Sequence, residues 1–278
     1  MDYKTILVHA DVDPGAPERI RLAARLARAF DAHLVGSALT GISRFIPPQV
    51  IAEGGPALAG CCAAMRRNAA EALQGFARVV GEEAVASTEE RLIDDDVDGG
   101  MALQARYCDL VVVGQSDPGM PTAARPSDLP EYLMLNGGRP VLVLPRAGGP
   151  YDLQGEALVA WDGSVEATRA VSGALPLLRA ARGATVLTFD GDQSWPSAAT
   201  DPCSLMVEYL RRQGVDARMG RRPDARRIAG EMLAEAAATQ AGLLVMGGYG
   251  HTRFRELLLG GVTADILQAM TLPVLLAH

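Results

Sequence analysis

The sequence predicts an α/β protein of two similar domains, each a doubly wound, mostly parallel five-stranded sheet. The chain has 278 residues, which is long enough for two domains of ordinary size. Short apolar runs rich in β-branched residues alternate with amphipathic stretches of helical length, as in parallel βαβ units. The whole pattern also occurs twice, so each half is expected to fold in the same way.

The internal repeat sets the domain boundary. KTILVHADVDPGAPERIRLAARLARAF near the N-terminus corresponds to EALVAWDGSVEATRAVSGALPLLRAA, and in each copy the first apolar run ends near an aspartate, Asp11 or Asp162. CDLVVVGQSDPG and GGRPVLVLP in the first half correspond to AGLLVMGGYGHT and MTLPVLLAH in the second. The glycine- and proline-containing stretch RAGGPYDLQG lies between the halves and reads as a linker. The predicted domains are therefore residues 1–147 and 148–278.

The apolar runs predict five strands in each domain. In the first domain they are Thr5–His9, His33–Ala38, Ala86–Leu92, Leu110–Val113 and Val141–Leu144. In the second they are Ala157–Trp161, Thr185–Phe189, Asp216–Met219, Leu243–Met246 and Val274–Ala277. Helices of the second domain are predicted at Val165–Ala181, Ser204–Gln213, Arg226–Thr239 and Arg255–Met270. Apolar strands without alternation are typical of a sheet that is covered on both faces.

One stretch of the first domain, Ile42–Gly60, is an insertion before its second helix. A surface loop is the expected structure. A flexible lid or a contact site for a partner is the alternative.

Composition excludes several classes of function. The net charge is −7, which gives no general attraction to nucleic acid or anionic membranes. There is no basic N-terminal stretch followed by a long apolar region, and no apolar run of about 18 residues that could cross a membrane. The four cysteines show no CxxC spacing and are expected to be reduced, small apolar residues. We therefore expect a cytoplasmic protein that binds neither nucleic acid nor membrane.

Two clusters could be interpreted as chemistry, but each has a simpler interpretation. His9 stands beside Asp11 and Asp13 and could belong to a metal or acid–base site, although a strand-end histidine bonded to a neighbouring carboxylate is expected. Asp94–Asp96 and Asp98 precede a helical pattern, where acidic residues favour helix capping over cation binding. Neither GxSxG nor GxxxxGK[ST] occurs. No catalytic or metal-binding residue is assigned.

The glycine-rich segment near the C-terminus is the strongest functional signal. Gly247-Gly248-Tyr249-Gly250 follows the predicted fourth strand, and Gly260-Gly261 follows nine residues later, before a helical pattern. In a doubly wound sheet, ligands bind beyond the carboxyl ends of the strands where the strand order reverses. Glycines there allow tight turns and let backbone N–H groups approach a polyphosphate.

Gly247, Gly250 and Gly260, with a helix and PVL after them, resemble the nucleotide-binding signature of the universal stress protein family. The resemblance extends to WDGS at residues 161–164 and covers the chain as a tandem of two such domains. It implies a Rossmann-like fold of the adenine nucleotide alpha hydrolase type, with strand order 3-2-1-4-5 in each sheet. It also implies binding of an adenine nucleotide, ATP with or without Mg²⁺, in members that keep the signature.

Carried over by position, the resemblance implies a nucleotide site in the second domain. Asp162 would contact adenine or ribose, and the backbone of Phe189 would line the adenine pocket. The phosphates would lie among five residues: Gly247, Gly250, Gly260, Gly261 and Val262. His251, Arg253 and Arg255 would add positive charge, or else they begin a solvated helix.

The sequence departs from the family pattern at Gly261, where the family has Ser or Thr. One hydroxyl donor is lost while the backbone N–H remains, which weakens binding by up to about tenfold. The hydroxyls of Thr252 and Thr263 are expected to belong to turns or helices rather than to replace the missing one.

The first domain departs further from the signature. Asp117 takes the place of the second glycine, and four prolines follow at positions 118, 121, 126 and 130. Asn136-Gly137-Gly138 resembles a helix stop rather than a phosphate clamp. This domain is not expected to bind ATP in the family manner, and Asp11 is expected to be a turn residue.

Three functions remain open from the sequence. The first is a cytoplasmic stress-response protein whose second domain binds ATP, with a regulatory role and at most very weak ATP hydrolysis. The second is an interaction or dimerisation module without nucleotide, and the third is a weak enzyme or ligand-binding protein built around His9 and Asp11. The two domains are expected to pack as a pseudo-dimer or the chain to form a homodimer, and a protein partner is not identified.

Overall fold

A computed structural model describes residues 2–117, 128–189, 201–223, 227–249 and 261–278. Spatial contacts divide these residues into two compact units. The N-terminal unit comprises residues 2–114 and 128–139, and the C-terminal unit comprises residues 115–117 and the described residues from 140 onward. The last strand of the first repeat thus lies in the C-terminal unit, whereas the boundary predicted between residues 147 and 148 follows the sequence repeat.

The N-terminal unit is a parallel sheet with helices around it. Its strands follow the order β3-β2-β1-β4, and each neighbouring pair is parallel. The strands are β1 (Thr5–His9), β2 (His33–Leu39), β3 (Thr88–Ile93) and β4 (Leu110–Gly114). The helices are α1 (Ala16–Phe30), α2 (Pro48–Glu53), α3 (Gly55–Glu82), α4 (Val97–Ala105) and α5 (Leu129–Asn136).

The C-terminal unit contains the strands of the second repeat and one strand of the first. Its strands are β5 (Val141–Leu144), β6 (Glu156–Ala160), β7 (Gly183–Phe189), β8 (Ala217–Arg222), β9 (Ala241–Gly247) and β10 (Val274–Ala277). Its described helices are α6 (Val165–Ala180), α7 (Pro202–Arg212), α8 (Ile228–Ala238) and α9 (Val262–Ala269). The order is β5-β10-β9-β6-β7-β8, and only the β5–β10 pair is antiparallel among the pairs described.

The predicted fold class is confirmed. In the second repeat the order β8-β7-β6-β9-β10 is the predicted 3-2-1-4-5, and β3-β2-β1-β4 in the first repeat follows the same order. The bounds of β1, β5 and β10 coincide with the prediction. The described part of the last predicted helix is α9, since residues 250–260 lie outside the described residues.

The structure corrects two expectations. The insertion Ile42–Gly60 is not only a loop, because it holds α2 and the first turns of α3. Prolines stand in the first turns of both helices, and Gly54 separates α2 from α3, whose first residue, Gly55, has φ +81°. Burial on both faces is also wrong for β3 and β8, the two strands at the ends of the strand order, because β3 has no buried residue and β8 has one.

The core lies on the central strands and on the helix faces that cover them. β4, β5, β6, β9 and β10 are buried along most of their length, and apolar residues of α1, α3 and α6 pack against the sheets. The candidate site is formed by the carboxyl ends of three strands of the C-terminal unit, β6, β7 and β9. No helix within the described ranges is long and apolar enough to span a membrane.

Candidate functional site

The candidate site lies at the carboxyl edge of the sheet in the C-terminal unit. Strand order reverses at β6, because β7 follows it on one side of the sheet and β9 lies on the other. All three strands are parallel, so their C-terminal ends share one edge. Asp162 follows β6, Phe189 is the last residue of β7, and Gly247 is the last residue of β9. The fold therefore places these three predicted site residues at a topological switch point.

Asp162 organises the turn from β6 into α6. Its Oδ1 accepts a hydrogen bond from the Ser164 N–H at 2.9 Å, and Gly163 between them has φ +77°. The Ser164 hydroxyl is the N-cap of α6 and accepts from the Ala167 N–H at 3.0 Å. The sequence WDGS thus specifies a turn and a helix cap, with one oxygen of Asp162 engaged in the turn.

Trp161 has a polar atom that its surroundings in the described residues do not satisfy. Its backbone N–H donates to the carbonyl of Leu187 at 2.9 Å, which ties the end of β6 to β7. Its indole Nε1 is buried and has no hydrogen-bond partner among the described residues. A buried donor without an acceptor is costly, by about 1–3 kcal/mol. The sequence pointed to Trp161 only as part of WDGS, and no sequence signal distinguished this donor.

Gly247 is a glycine because α6 lies against it. A Cβ at this position would stand 2.5 Å from the Ala167 nitrogen and 2.7 Å from the Glu166 carbonyl carbon. Both atoms are backbone, which cannot move aside without displacing the helix. Packing therefore explains this glycine without a ligand.

The residues after Gly247 are held by three hydrogen bonds. The Gly248 N–H donates to the carbonyl of Ala277 at 2.9 Å, and the Nδ1 of His278 donates to the carbonyl of Gly248 at 2.9 Å. The Tyr249 N–H donates to the Thr263 hydroxyl at 3.3 Å, and Tyr249 has the left-handed φ of +55°. Thr263 is thus a turn hydroxyl, as expected, and it places the first turn of α9 beside the end of β9.

Gly261 has no comparable packing requirement. It is the N-cap of α9 with φ −99° and ψ 170°, a conformation open to any residue, and a Cβ there would meet none of the described residues within 4 Å. It supplies no side-chain cap to the helix. The first N–H groups of a helix, here beginning with Val262, have no intrahelical acceptor. The first N–H groups of α9 therefore receive no side-chain bond from its N-cap residue, and they lie next to the end of β9.

Four of the predicted site residues, Gly250, His251, Arg253 and Gly260, lie outside the described residues. So do Thr252 and Arg255. The structure brings Gly261 and Val262 next to the end of β9 and places Asp162 and Phe189 at the same sheet edge. The residues that the sequence did not identify are Trp161 and His278, and the bond between His278 and Gly248 joins two chain segments that no local pattern connects.

The equivalent edge of the N-terminal unit is filled by its own side chains. Arg19 is buried, and its guanidinium donates to the carbonyl of His9 at 2.9 Å and to Asp11 at 2.7 Å. Its Nη1 lies 2.5 Å from where a Cβ on Gly114, at the end of β4, would stand. His9 Nδ1 lies 3.2 Å from Asp11, which confirms the expected contact of this histidine with a neighbouring carboxylate.

Burial dominates the protonation of this cluster. Desolvation lowers the pKa of His9 to about 4, despite the opposing charge of Asp11, so the imidazole is neutral at pH 7. Burial alone would raise the pKa of Asp11, but Arg19 and His9 together lower it below its usual value. The cluster is a neutral histidine beside a carboxylate–guanidinium pair. It occupies the edge where a ligand would otherwise bind.

The acidic run after β3 acts as a helix cap and as an anchor. Asp96 is the N-cap of α4 and accepts from the Gly99 N–H at 2.8 Å, which confirms the capping role. Asp95 is buried and pairs with Arg44 at 2.8 Å, and Asp94 pairs with Arg66 at 2.7 Å. Within the described ranges, no group of three or more His, Cys, Asp or Glu side chains is arranged to hold a metal ion.

The loop after β4 also differs from the glycine loop after β9. Asp117 pairs with Arg146 at 3.3 Å, and both residues belong to the C-terminal unit. The predicted helix stop is confirmed, since α5 ends at Asn136 and Gly138 has φ +66°.

All four cysteines are free; Cys61 is exposed and the others are buried. Burial raises the pKa of the Cys108 thiol to about 12.

The C-terminal part of the chain, which contains the candidate site, matches a known protein family. The Universal stress protein family model matches residues 156–278. A search of curated proteins found no significant match.

Solved structures extend the similarity of fold to the whole chain. A universal stress protein from Archaeoglobus fulgidus DSM 4304 is 15% identical, with 98% of this chain and 97% of that chain aligned and a TM-score of 0.71. A protein of unknown function from Pseudomonas aeruginosa PAO1 is 16% identical over 99% of this chain and 92% of that chain, with a TM-score of 0.57. Another universal stress protein from Archaeoglobus fulgidus, solved in complex with dAMP, is 19% identical over 51% of this chain and 98% of that chain, with a TM-score of 0.35.

The N-terminal repeat shares this fold, in agreement with the tandem arrangement predicted from the repeat. The second repeat matches the family model and also has the strand order 3-2-1-4-5 that the resemblance implied. Residues 156–278 form a domain of the universal stress protein family, in a chain whose two repeats share its fold.

Proposed function

We propose that the C-terminal domain binds an adenine nucleotide, with ATP as the preferred ligand, and that the protein acts as a regulator in a stress response rather than as an enzyme. The observation that supports this most is the start of α9. Gly261, the N-cap residue of α9, offers the helix no side-chain acceptor, and the first N–H groups of α9 lie beside the end of β9, at the sheet edge where the strand order reverses. Such a helix start favours a phosphate group.

The residues present fit an adenine nucleotide. Within the part of the chain that the structure describes, a Cβ on Gly261 would meet nothing within 4 Å, which would let a phosphate approach the N–H groups of α9. Asp162 and Phe189 end neighbouring strands at the same edge, in the positions that the family resemblance assigns to the nucleoside. The buried Nε1 of Trp161 is a donor next to Asp162 that no described residue satisfies. A bound nucleotide would supply phosphate charge at α9 and a planar base near these two strands.

The contacts of the described residues indicate what each of them contributes to the proposed site. Gly248 and Tyr249 use their N–H groups to fix the loop, so the donors for phosphate are those of α9 and of the glycines implied by the resemblance, Gly250 and Gly260. Asp162 holds the turn through Oδ1 and orients the start of α6. His251 and Arg253 would add charge at the phosphate end, and Mg²⁺ would accompany ATP there.

A regulatory role fits the absence of an assigned base or nucleophile. His9 is buried and neutral at pH 7, and its neighbour Asp11 pairs with Arg19 in the N-terminal unit. An interaction module without nucleotide is the competing function, and the packing that accounts for Gly247 favours it.

Tryptophan fluorescence tests the proposal at the site itself. The chain has two tryptophans, Trp161 and Trp195, so a Trp195→Phe variant reports on Trp161 alone. Titration of this variant with Mg-ATP is expected to change the Trp161 emission with a saturable curve. In a variant that carries both Trp195→Phe and Asp162→Ala, half-saturation is expected at a much higher ATP concentration. Unchanged emission across millimolar ATP, with no heat of binding, would refute the site.

A further inference from the structure

α9, the helix whose first turn offers donors to phosphate, has little stability of its own. It has eight residues, whereas isolated helices need about 12–15 residues to be even marginally stable in water. Its N-cap supplies no side-chain bond, and no basic residue stands in its last turn. Its position therefore depends on contacts made by other parts of the chain.

Gln115 makes such a contact at the opposite end of α9. Its Nε2 donates to the carbonyl of Leu267 at 2.8 Å and to the carbonyl of Gln268 at 3.0 Å. These are carbonyls of the last helical turn, which lack intrahelical donors. One amide group thus satisfies two terminal acceptors of α9.

Gln115 is itself held in place. Its N–H donates to the carbonyl of Leu144 at 2.8 Å, at the end of β5, and its Oε1 accepts from the Arg146 N–H at 3.1 Å. All four hydrogen bonds lie within the C-terminal unit, to which residues 115–117 belong by their contacts. The side chain is fixed at both ends, so it can act as a rigid support for the helix.

The position of Gln115 in the sequence gives this contact its meaning. It follows β4 directly, in the loop of the first repeat that corresponds to the glycine loop after β9. We propose that this loop has changed its role: it no longer surrounds a phosphate of its own, and Gln115 instead anchors α9 so that Gly261 and Val262 present their N–H groups at the site of the second domain. The effect on nucleotide affinity rests on the proposed function, whereas the anchoring of α9 does not.

The change accounts for two further features of the loop. Asp117, which stands where the signature has a glycine, pairs with Arg146, the residue whose N–H bonds Gln115. The side chain of Gln115 needs the loop to lie against β5, and the Gln115 N–H to Leu144 bond provides that. A loop with these bonds is a structural support rather than a phosphate cradle.

Hydrogen–deuterium exchange on the full-length protein without nucleotide tests the anchoring. Gln115→Ala removes all side-chain bonds, and Gln115→Glu keeps an acceptor for the Arg146 N–H but loses both donors to α9. Exchange in peptides covering Val262–Ala269 is expected to be about three- to tenfold faster in both variants. Gln213→Ala is the control, since Gln213 ends α7 in the same unit and bonds Arg179. Exchange in α9 at the wild-type rate in both Gln115 variants would overturn the proposal.

Mg-ATP titration of the same variants tests the link to the site. The Kd is expected to rise by about three- to tenfold in both Gln115 variants and to stay unchanged in Gln213→Ala. If the wild type binds ATP and the Gln115 variants bind it equally well, Gln115 does not set the affinity and the link is wrong. If the wild type binds no ATP, the proposed function fails, and the exchange data alone decide whether Gln115 anchors α9.

Discussion

The α-carbon of Gly247 lies against the backbone of Ala167, so closely that a Cβ would stand 2.5 Å from the Ala167 nitrogen. The end of β9 and the first turn of α6 therefore meet at a position that accepts only glycine. Gly261 is not subject to this packing requirement, because a Cβ there would meet no atom of the described residues within 4 Å.

Gly247→Ala is expected to destabilise the protein. Overpacking against backbone that cannot yield costs about 1–3 kcal/mol, and urea denaturation measures the loss as a lower midpoint. Gly261→Ala is the matched control and should cost far less. Equal stabilities of the wild type and Gly247→Ala would show that α6 can move away from β9.

Gly261→Ser is expected to improve both the helix and the site. Serine is a better N-cap than glycine, by about 0.3 kcal/mol, and the backbone conformation at residue 261 accepts it. If phosphate binds there, the added hydroxyl should tighten Mg-ATP binding by up to about tenfold. Calorimetric titration of Gly261→Ser and Gly261→Ala separates the hydroxyl from the Cβ. An affinity for ATP that is the same in both variants would place the phosphate elsewhere.

His9 should make stability depend on pH below neutrality. Its pKa falls from 6.5 to about 4 on folding, mainly because of burial, so the unfolded chain binds this proton more readily than the folded one. Above about pH 6.5 His9 is neutral in both states and does not lower the free energy of unfolding. As the pH falls towards 4, the free energy of unfolding decreases by about 3 kcal/mol at most. His9→Asn removes the titrating group.

Chemical denaturation at pH 7, 6, 5 and 4 measures this dependence. The wild type is expected to lose more stability across the range than His9→Asn does, while the acidic groups that do not contact His9 cancel in the comparison. Parallel curves for the two proteins would mean that the pKa of His9 does not change on folding, and therefore that its imidazole is solvated in the folded state.

The bond between Arg44 and Asp95 should hold the insertion of the N-terminal unit in place. Asp95 is buried, and it accepts from both the guanidinium and the backbone N–H of Arg44. Asp95→Asn is expected to make residues 42–60 more sensitive to limited proteolysis, by about threefold or more. Asp94→Asn is the control, because the exposed Asp94–Arg66 pair contributes little. Equal cleavage rates in both variants would contradict the anchoring role.

Much of the fold could be predicted because it follows from local patterns. Apolar runs marked the strands, and the acidic run marked the helix cap at Asp96. The helix α2 was missed because prolines and glycines mark both loops and helix ends, and only the fold tells which.

The candidate site was predictable only in part. The position of Asp162 and Phe189 at one edge follows from the strand order, which the family resemblance implied. A glycine in a sequence, however, does not show whether it makes room for a helix, as Gly247 does, or has no described neighbour within reach of a Cβ, as at Gly261. The contact of Gln115 with α9 joins residues more than 150 positions apart, so no local pattern could reveal it.

The most direct test of the central claim is a calorimetric titration of Mg-ATP into the full-length protein after bound nucleotide has been removed. One site per chain with micromolar affinity, lost when Gly250 is replaced by a bulky residue, is the result expected if the C-terminal domain binds ATP. The absence of heat up to millimolar ATP, together with no nucleotide released when the freshly purified protein is denatured, would contradict it and leave an interaction module as the better account.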